Sequence, residues 1–72
     1  MTDNKYVIKL NDRDDFDLYV NGVLTISATF IGGLLVAIAA RERVDVNTQG
    51  VSESYILAVL REAGVNVDAG EW

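Results

Sequence analysis

Cysteine, histidine and proline are all absent from this 72-residue chain. Without cysteine and histidine there is no thiolate or imidazole with which to hold a metal. There is no cysteine nucleophile, and no Ser–His pair can form. No disulfide can support the fold, and the absence of cysteine fits a reducing compartment. Without proline, repeats or low-complexity stretches, nothing marks a linker. Basic residues are scarce, six Lys and Arg against eleven Asp and Glu, for a net charge of −5. That balance disfavours direct nucleic-acid binding and attraction to anionic membranes, and it steers basic partners inward. The start, "MTDNKY", lacks a basic region followed by an apolar run, so a cytoplasmic location without a signal peptide is expected. The glycine pair in "FIGGLLVA" lacks the lysine and Ser/Thr of a phosphate loop. Two carboxylates could still do acid–base chemistry, but only across a cleft that so short a chain has little room to build. The expectation is a protein that is not an enzyme, with no cofactor and no metal.

What is present is apolar material. Half the residues are hydrophobic. The length allows one domain, residues 1–72. A domain this small buries only about 60% of the surface its unfolded chain exposes. Burial against a second copy or another protein is the natural supplement, and a homo-oligomer, in the simplest case a dimer, is expected.

Residues 18–40, "LYVNGVLTISATFIGGLLVAIAA", carry no charge. The length alone permits a membrane span, with small-xxx-small spacing at Ala28/Gly32 and Gly33/Ala37. A second reading divides the run. Asn21-Gly22 between two β-favouring stretches signals a tight hairpin. It would pair Val20 with Val23, Tyr19 with Leu24 and Leu18 with Thr25. Phe16, Leu18, Val20 and Val23 then share one sheet face, and Tyr19, Leu24 and Ile26 the other. The alternating "KYVIKL" at 5–10 needs such a sheet to join, which favours division over a span. In a rival parse, Gly32-Gly33 is a second hairpin turn.

A first helix is expected from an N-cap at Thr29 to about Arg43. Phe30, Ile31, Leu34, Leu35 and Ile38 form its bulky side. Gly32, Gly33, Val36, Ala37, Ala39 and Ala40 form a smooth one, so it needs cover all round. Gly32, Gly33, Val36, Ala37 and Ala40 are therefore the candidate oligomer interface. A second helix is signposted by Ser52 as cap, with Val51 and Ile56 as a hydrophobic staple. Its apolar stripe is Tyr55, Ile56, Val59, Leu60 and Ala63. Gly64 and Val65 supply its C-terminal stop. Residues 44–50 connect the helices, and 65–68 could add a short edge strand. The fold class that follows is α+β: a three-stranded antiparallel meander packed with two helices, β-β-β-α-α, with that optional C-terminal edge strand.

The stretch "NDRDDFD" at 11–17 places four aspartates within six positions. Asn and Asp favour turns, so one reading is a solvated loop. Another is a calcium site built from Asp12, Asp14 and Asp17, but the glycine and glutamate of an EF-hand loop are missing. The third is an interaction patch for a protein with a basic surface. Its residues are Asp12, Asp14, Asp15 and Asp17, with Phe16 and Tyr19 as apolar anchors. Trp72 is either a loose end or an anchor.

In size, acidity and lack of catalytic residue types, the chain resembles the small accessory proteins of phages and mobile elements. Many of those bind and block a larger host complex, anti-CRISPR proteins and inhibitors of host polymerase among them. The resemblance is one of character; no motif carries it and no residue roles transfer with it. It implies a protein-binding inhibitor that occludes a basic site. The alternatives are a self-assembling structural subunit and a small single-span membrane protein.

Overall fold

The structure is a computed structural model, and it describes residues 4–47 and 52–70. Three antiparallel strands come first: β1 (Lys5–Leu10), β2 (Phe16–Val20) and β3 (Val23–Ala28). Two helices follow, α1 (Ile31–Glu42) and α2 (Glu53–Glu62), and then a short strand, β4 (Asn66–Asp68). The sheet order is β3-β2-β1-β4, with β4 parallel to β1. The fold is α+β, a meander with two helices and a C-terminal edge strand.

Each boundary has a local cause. Asn21 and Gly22 both take positive φ, 53° and 84°, the mirror-image turn that matches strand twist. Val20 pairs with Val23 and Tyr19 with Leu24, but Leu18 pairs with Ile26 rather than Thr25. A β-bulge absorbs Thr25 and moves Ile26 and Ala28 onto the face of Leu18, where both pack against the core. Strict alternation had put Ile26 with Tyr19. The bulge corrects this, and burial of one more isoleucine is the physical reason for it.

The uncharged run is thus divided among β2, β3 and α1. Among the described residues no helix is long and apolar enough to cross a membrane. Gly32 and Gly33 lie inside α1, so they do not form a second hairpin turn. Helix α1 starts one residue later than expected. Phe30 takes the cap position with extended backbone and no side-chain cap bond, and it is 75% exposed rather than part of the bulky side. Burial of Ile31, Leu34, Leu35 and Ile38 sets the phase of the helix and overrides the Thr29 hydroxyl. The helix ends at Glu42 because Arg43 turns left-handed, φ 56°, and Val44 N–H bonds back to the Ala39 carbonyl at 2.9 Å.

Helix α2 follows its signals more closely. Ser52 Oγ accepts from Tyr55 N–H at 3.2 Å. At the far end Gly64 is left-handed. Its N–H reaches the Arg61 carbonyl, and Val65 N–H reaches that of Leu60, each at 3.0 Å. The buried stripe is narrower than the sequence pattern: Ile56 and Leu60 are buried, Leu57 and Val59 half-buried, and Tyr55 and Ala63 exposed. The staple residue Val51, residues 48–50 of the connection and Trp72 lie outside the described residues.

Both helices cover one sheet face. Tyr6 and Ile8 of β1, Leu18 and Val20 of β2 and Val67 of β4 point into a core closed by Ile31, Leu34, Leu35, Ile38, Ile56 and Leu60. The two helices run in the same direction. Gly32 lies beside Glu53 where they start, and Glu42, Arg43, Ala63 and Gly64 line one cavity where they end. Connection residues Val44 and Val46 pack against the core.

Candidate functional site

The acidic stretch is a built turn. Asn11 N–H donates to the Asp15 carbonyl at 2.8 Å, closing the loop between β1 and β2. The Asn11 side-chain oxygen accepts from Arg13 N–H at 2.8 Å and Asp15 N–H at 3.1 Å. Asp14 takes positive φ, 62°, a conformation that Asp tolerates better than most residues with a side chain. Asn11 Nδ2 also donates to Asp17 Oδ1 at 3.0 Å, and Ser27 Oγ donates to the same oxygen at 2.6 Å. Hydrogen bonds from Ser27 and Asn11 hold the Asp17 carboxyl below the usual carboxylate range.

The four aspartates therefore divide. Asp12 and Asp14 are exposed with Arg13 at the tip, and Asp15 is half-buried at its base. Asp17 belongs to β2 and is tied into the sheet. Among the described residues no three carboxylates converge to hold a metal ion. Phe16 is half-buried and packs against the core. Its cross-strand neighbour Leu10 is 55% exposed beside the loop. Tyr19 lies on the open sheet face between Val7 and Leu24, with Lys9 Nζ 5.2 Å from its ring centre.

The residues chosen for an oligomer interface also separate. Gly32 faces α2, where an added Cβ would lie 3.6 Å from Glu53 Cγ. Gly33 faces Ala28 of β3, with 3.9 Å from such a Cβ to the alanine methyl. Gly33, Val36 and Ala40 are exposed and Ala37 is half-buried. Ala39, the remaining small residue of that side, is buried.

A second polar cluster lies at the opposite end of the sheet. The Tyr6 hydroxyl donates to Glu42 Oε2, and Asn4 Nδ2 donates to the same oxygen at 3.1 Å. Asn21 Nδ2 donates to Asn4 Oδ1 at 3.0 Å, and Lys5 N–H donates to Asn21 Oδ1 at 2.8 Å. Burial first, then the Glu42 carboxylate, pushes the Tyr6 hydroxyl above its ordinary pKa, while Asn4 and Arg41 act the other way. Beside this cluster is an open cavity of about 420 Å³ lined by Asn4, Arg41, Glu42, Arg43, Val44, Ala63, Gly64 and Val65.

Sequence reasoning missed two things here. Asn11 organises the acidic turn, and the signal was its position before four potential donors and acceptors, since asparagine bonds backbone two residues on. The Tyr6–Glu42 pair left no signal, because its members are 36 positions apart. The chain matches no protein-family model, no curated protein and no solved structure.

Proposed function

We propose that the chain is a non-enzymatic protein-binding module that meets a basic surface on a larger protein and occludes it, as a small inhibitor acting in the cytoplasm. One observation carries this reading. Asp12 and Asp14 are held outward at the tip of an asparagine-braced turn, beside an exposed Leu10. Fixed carboxylates raise the association rate with a basic patch, and an adjoining apolar side chain adds a contact that excludes water. Arg13 between them limits nonspecific attraction, so the arrangement of charges matters more than their sum. The structure-retaining part of the acidic stretch, Asp17, has a different task and is excluded from the contact set.

The test is affinity capture from the native host with the unmodified chain and with the Asp12→Asn/Asp14→Asn variant, each across a salt series. The expected result is a bound protein whose recovery falls with salt for the native chain and is largely lost for the variant. Equal recovery by both chains at every salt concentration would remove the electrostatic mechanism.

A further inference from the structure

We propose that β3 and the adjoining flank of α1 form the seam of an antiparallel homodimer. The seam is a surface distinct from the acidic turn. Strand β3 is an edge strand: β2 covers one side, and no described strand covers the other. Edge strands that stay single are blunted by charge, proline, an inward lysine, a bulge or a covering loop. This one, "VLTISA", has no charge and no proline. It does carry the bulge at Thr25, whose hydroxyl donates to the Val23 carbonyl at 3.0 Å. Val23 and Leu24 are 65% and 54% exposed.

The helix above this edge has matching chemistry. Helix α1 packs over β3 and β2, while α2 packs over β4. Gly33 points toward β3 and away from α2, in line with half-buried Ala37 one turn on. The flank of α1 on the β3 side is therefore small and smooth. When two β3 edges pair, their α1 helices become neighbours, and glycine and alanine permit the 8–10 Å spacing of packed helices. Edge and flank together are uncharged from Val23 to Ala40.

Charge sets the direction. The end of the molecule where both helices start carries Asp12, Asp14, Asp15, Asp17 and Glu53 against Lys9 and Arg13. The end where they finish carries Lys5, Arg41, Arg43 and Arg61 against Glu42, Asp45 and Glu62, so it is weakly basic where the other is acidic. A two-fold axis near the middle of β3 lays the acidic end of one copy along the arginine end of the other. The two acidic turns then stand roughly 30 Å apart, about three Debye lengths at 0.1 M salt. A parallel pairing would bring them to roughly 20 Å on the same side, with both sets of arginines also together. Antiparallel pairing thus leaves the aspartate turns outward at opposite ends of one eight-stranded sheet.

The test is sedimentation velocity across about a hundredfold range of micromolar concentration, with amide hydrogen exchange read at both ends of the range. The native chain is expected to pass from monomer to dimer, and the amides of β3 to exchange more slowly at the higher concentration while those of Asn66–Asp68 do not change. Thr25→Lys puts two lysines beside the axis at an exposed position, and it is expected to weaken the dimer at least roughly tenfold. Tyr55→Lys, on α2 and away from the seam, is expected to leave it intact. A monomer at every concentration overturns the proposal. So does a dimer that Thr25→Lys leaves unchanged, or one in which β3 gains no protection.

Discussion

At one end of the sheet Asn4, Tyr6, Asn21 and Glu42 bond to one another; at the other, Asp12 and Asp14 are turned outward beside an exposed leucine. Both ends use acidic and amide side chains around a tight connection. The difference lies in where the polar atoms find partners. The Tyr6 end ties β1, the hairpin turn and the last turn of α1 together across 36 positions of sequence. The acidic turn is braced from within by Asn11 and from the neighbouring strand by Ser27. The closed end therefore contributes to stability, and the open end is available for contact. Substitutions at the two ends should separate these roles.

The largest effect is expected at Tyr6. Tyr6→Phe keeps the ring in the core and removes the donor to Glu42. A hydrogen bond to a charged group contributes about 1.5–3 kcal/mol, against a total of about 4–11 kcal/mol for a chain of this length. Urea unfolding at neutral pH would measure that loss. The pH dependence follows from the raised Tyr6 pKa. Below the ordinary value of 10.0 the hydroxyl is protonated folded or unfolded, and its contribution is fully present. As pH rises from there through the higher folded value, the unfolded chain gives up its proton first and the contribution is lost. The native chain should lose stability in that alkaline window, and Tyr6→Phe should flatten this part of the profile. An equal alkaline slope in both proteins would mean that Tyr6 is not the group responsible.

A smaller gain is expected where α1 begins. Phe30 caps the helix without a side-chain bond and is mostly exposed. Phe30→Ser would supply the missing acceptor and stabilise the fold by about 1 kcal/mol, seen as a higher thermal midpoint. No gain would mean that Phe30 packs on something outside the described chain, such as the second copy.

At the other end of the same helix Arg43 is left-handed, a conformation disfavoured by about 1–2 kcal/mol for residues with a side chain. Arg43→Gly relieves that strain and adds freedom to the unfolded chain, so a net gain of about 0.5–1 kcal/mol is expected. A loss would show that the guanidinium does more at the cavity than line it.

How far these features were legible follows from their range in sequence. The Asn21-Gly22 turn, the Ser52 cap and the Gly64 stop are local devices, and each stands where short-range chemistry puts it. Thr29 is local chemistry that lost: a hydroxyl was present, but burying Ile31 outweighed it. The bulge at Thr25 was hidden because alternation assumes a fixed register, and only the core can show that Ile26 belongs inside. Tyr6 and Glu42 were unreadable as a pair for the same reason. Within the acidic stretch, sequence showed four equivalent carboxylates. Hydrogen bonds from Ser27, ten positions on, and from Asn11 make Asp17 different from the rest.

That difference gives the smallest expected change in stability and the sharpest test of the comparison. Asp12→Asn/Asp14→Asn alters two exposed side chains away from the core, so unfolding should shift by no more than about 0.5 kcal/mol. Asp17→Asn should behave otherwise. With its folded pKa depressed, Asp17 contributes stability above the ordinary Asp value of 3.8, and that contribution is lost as pH falls through the lower folded value. Asp17→Asn should therefore flatten the acid side of the stability profile, and the tip variant should leave it unchanged. Partner capture should show the reverse order, with the tip variant affected and Asp17→Asn largely retained wherever the turn survives. If both variants moved stability and capture together, brace and tip would be one unit, and the division between a closed end and an open end would fail at the acidic turn itself.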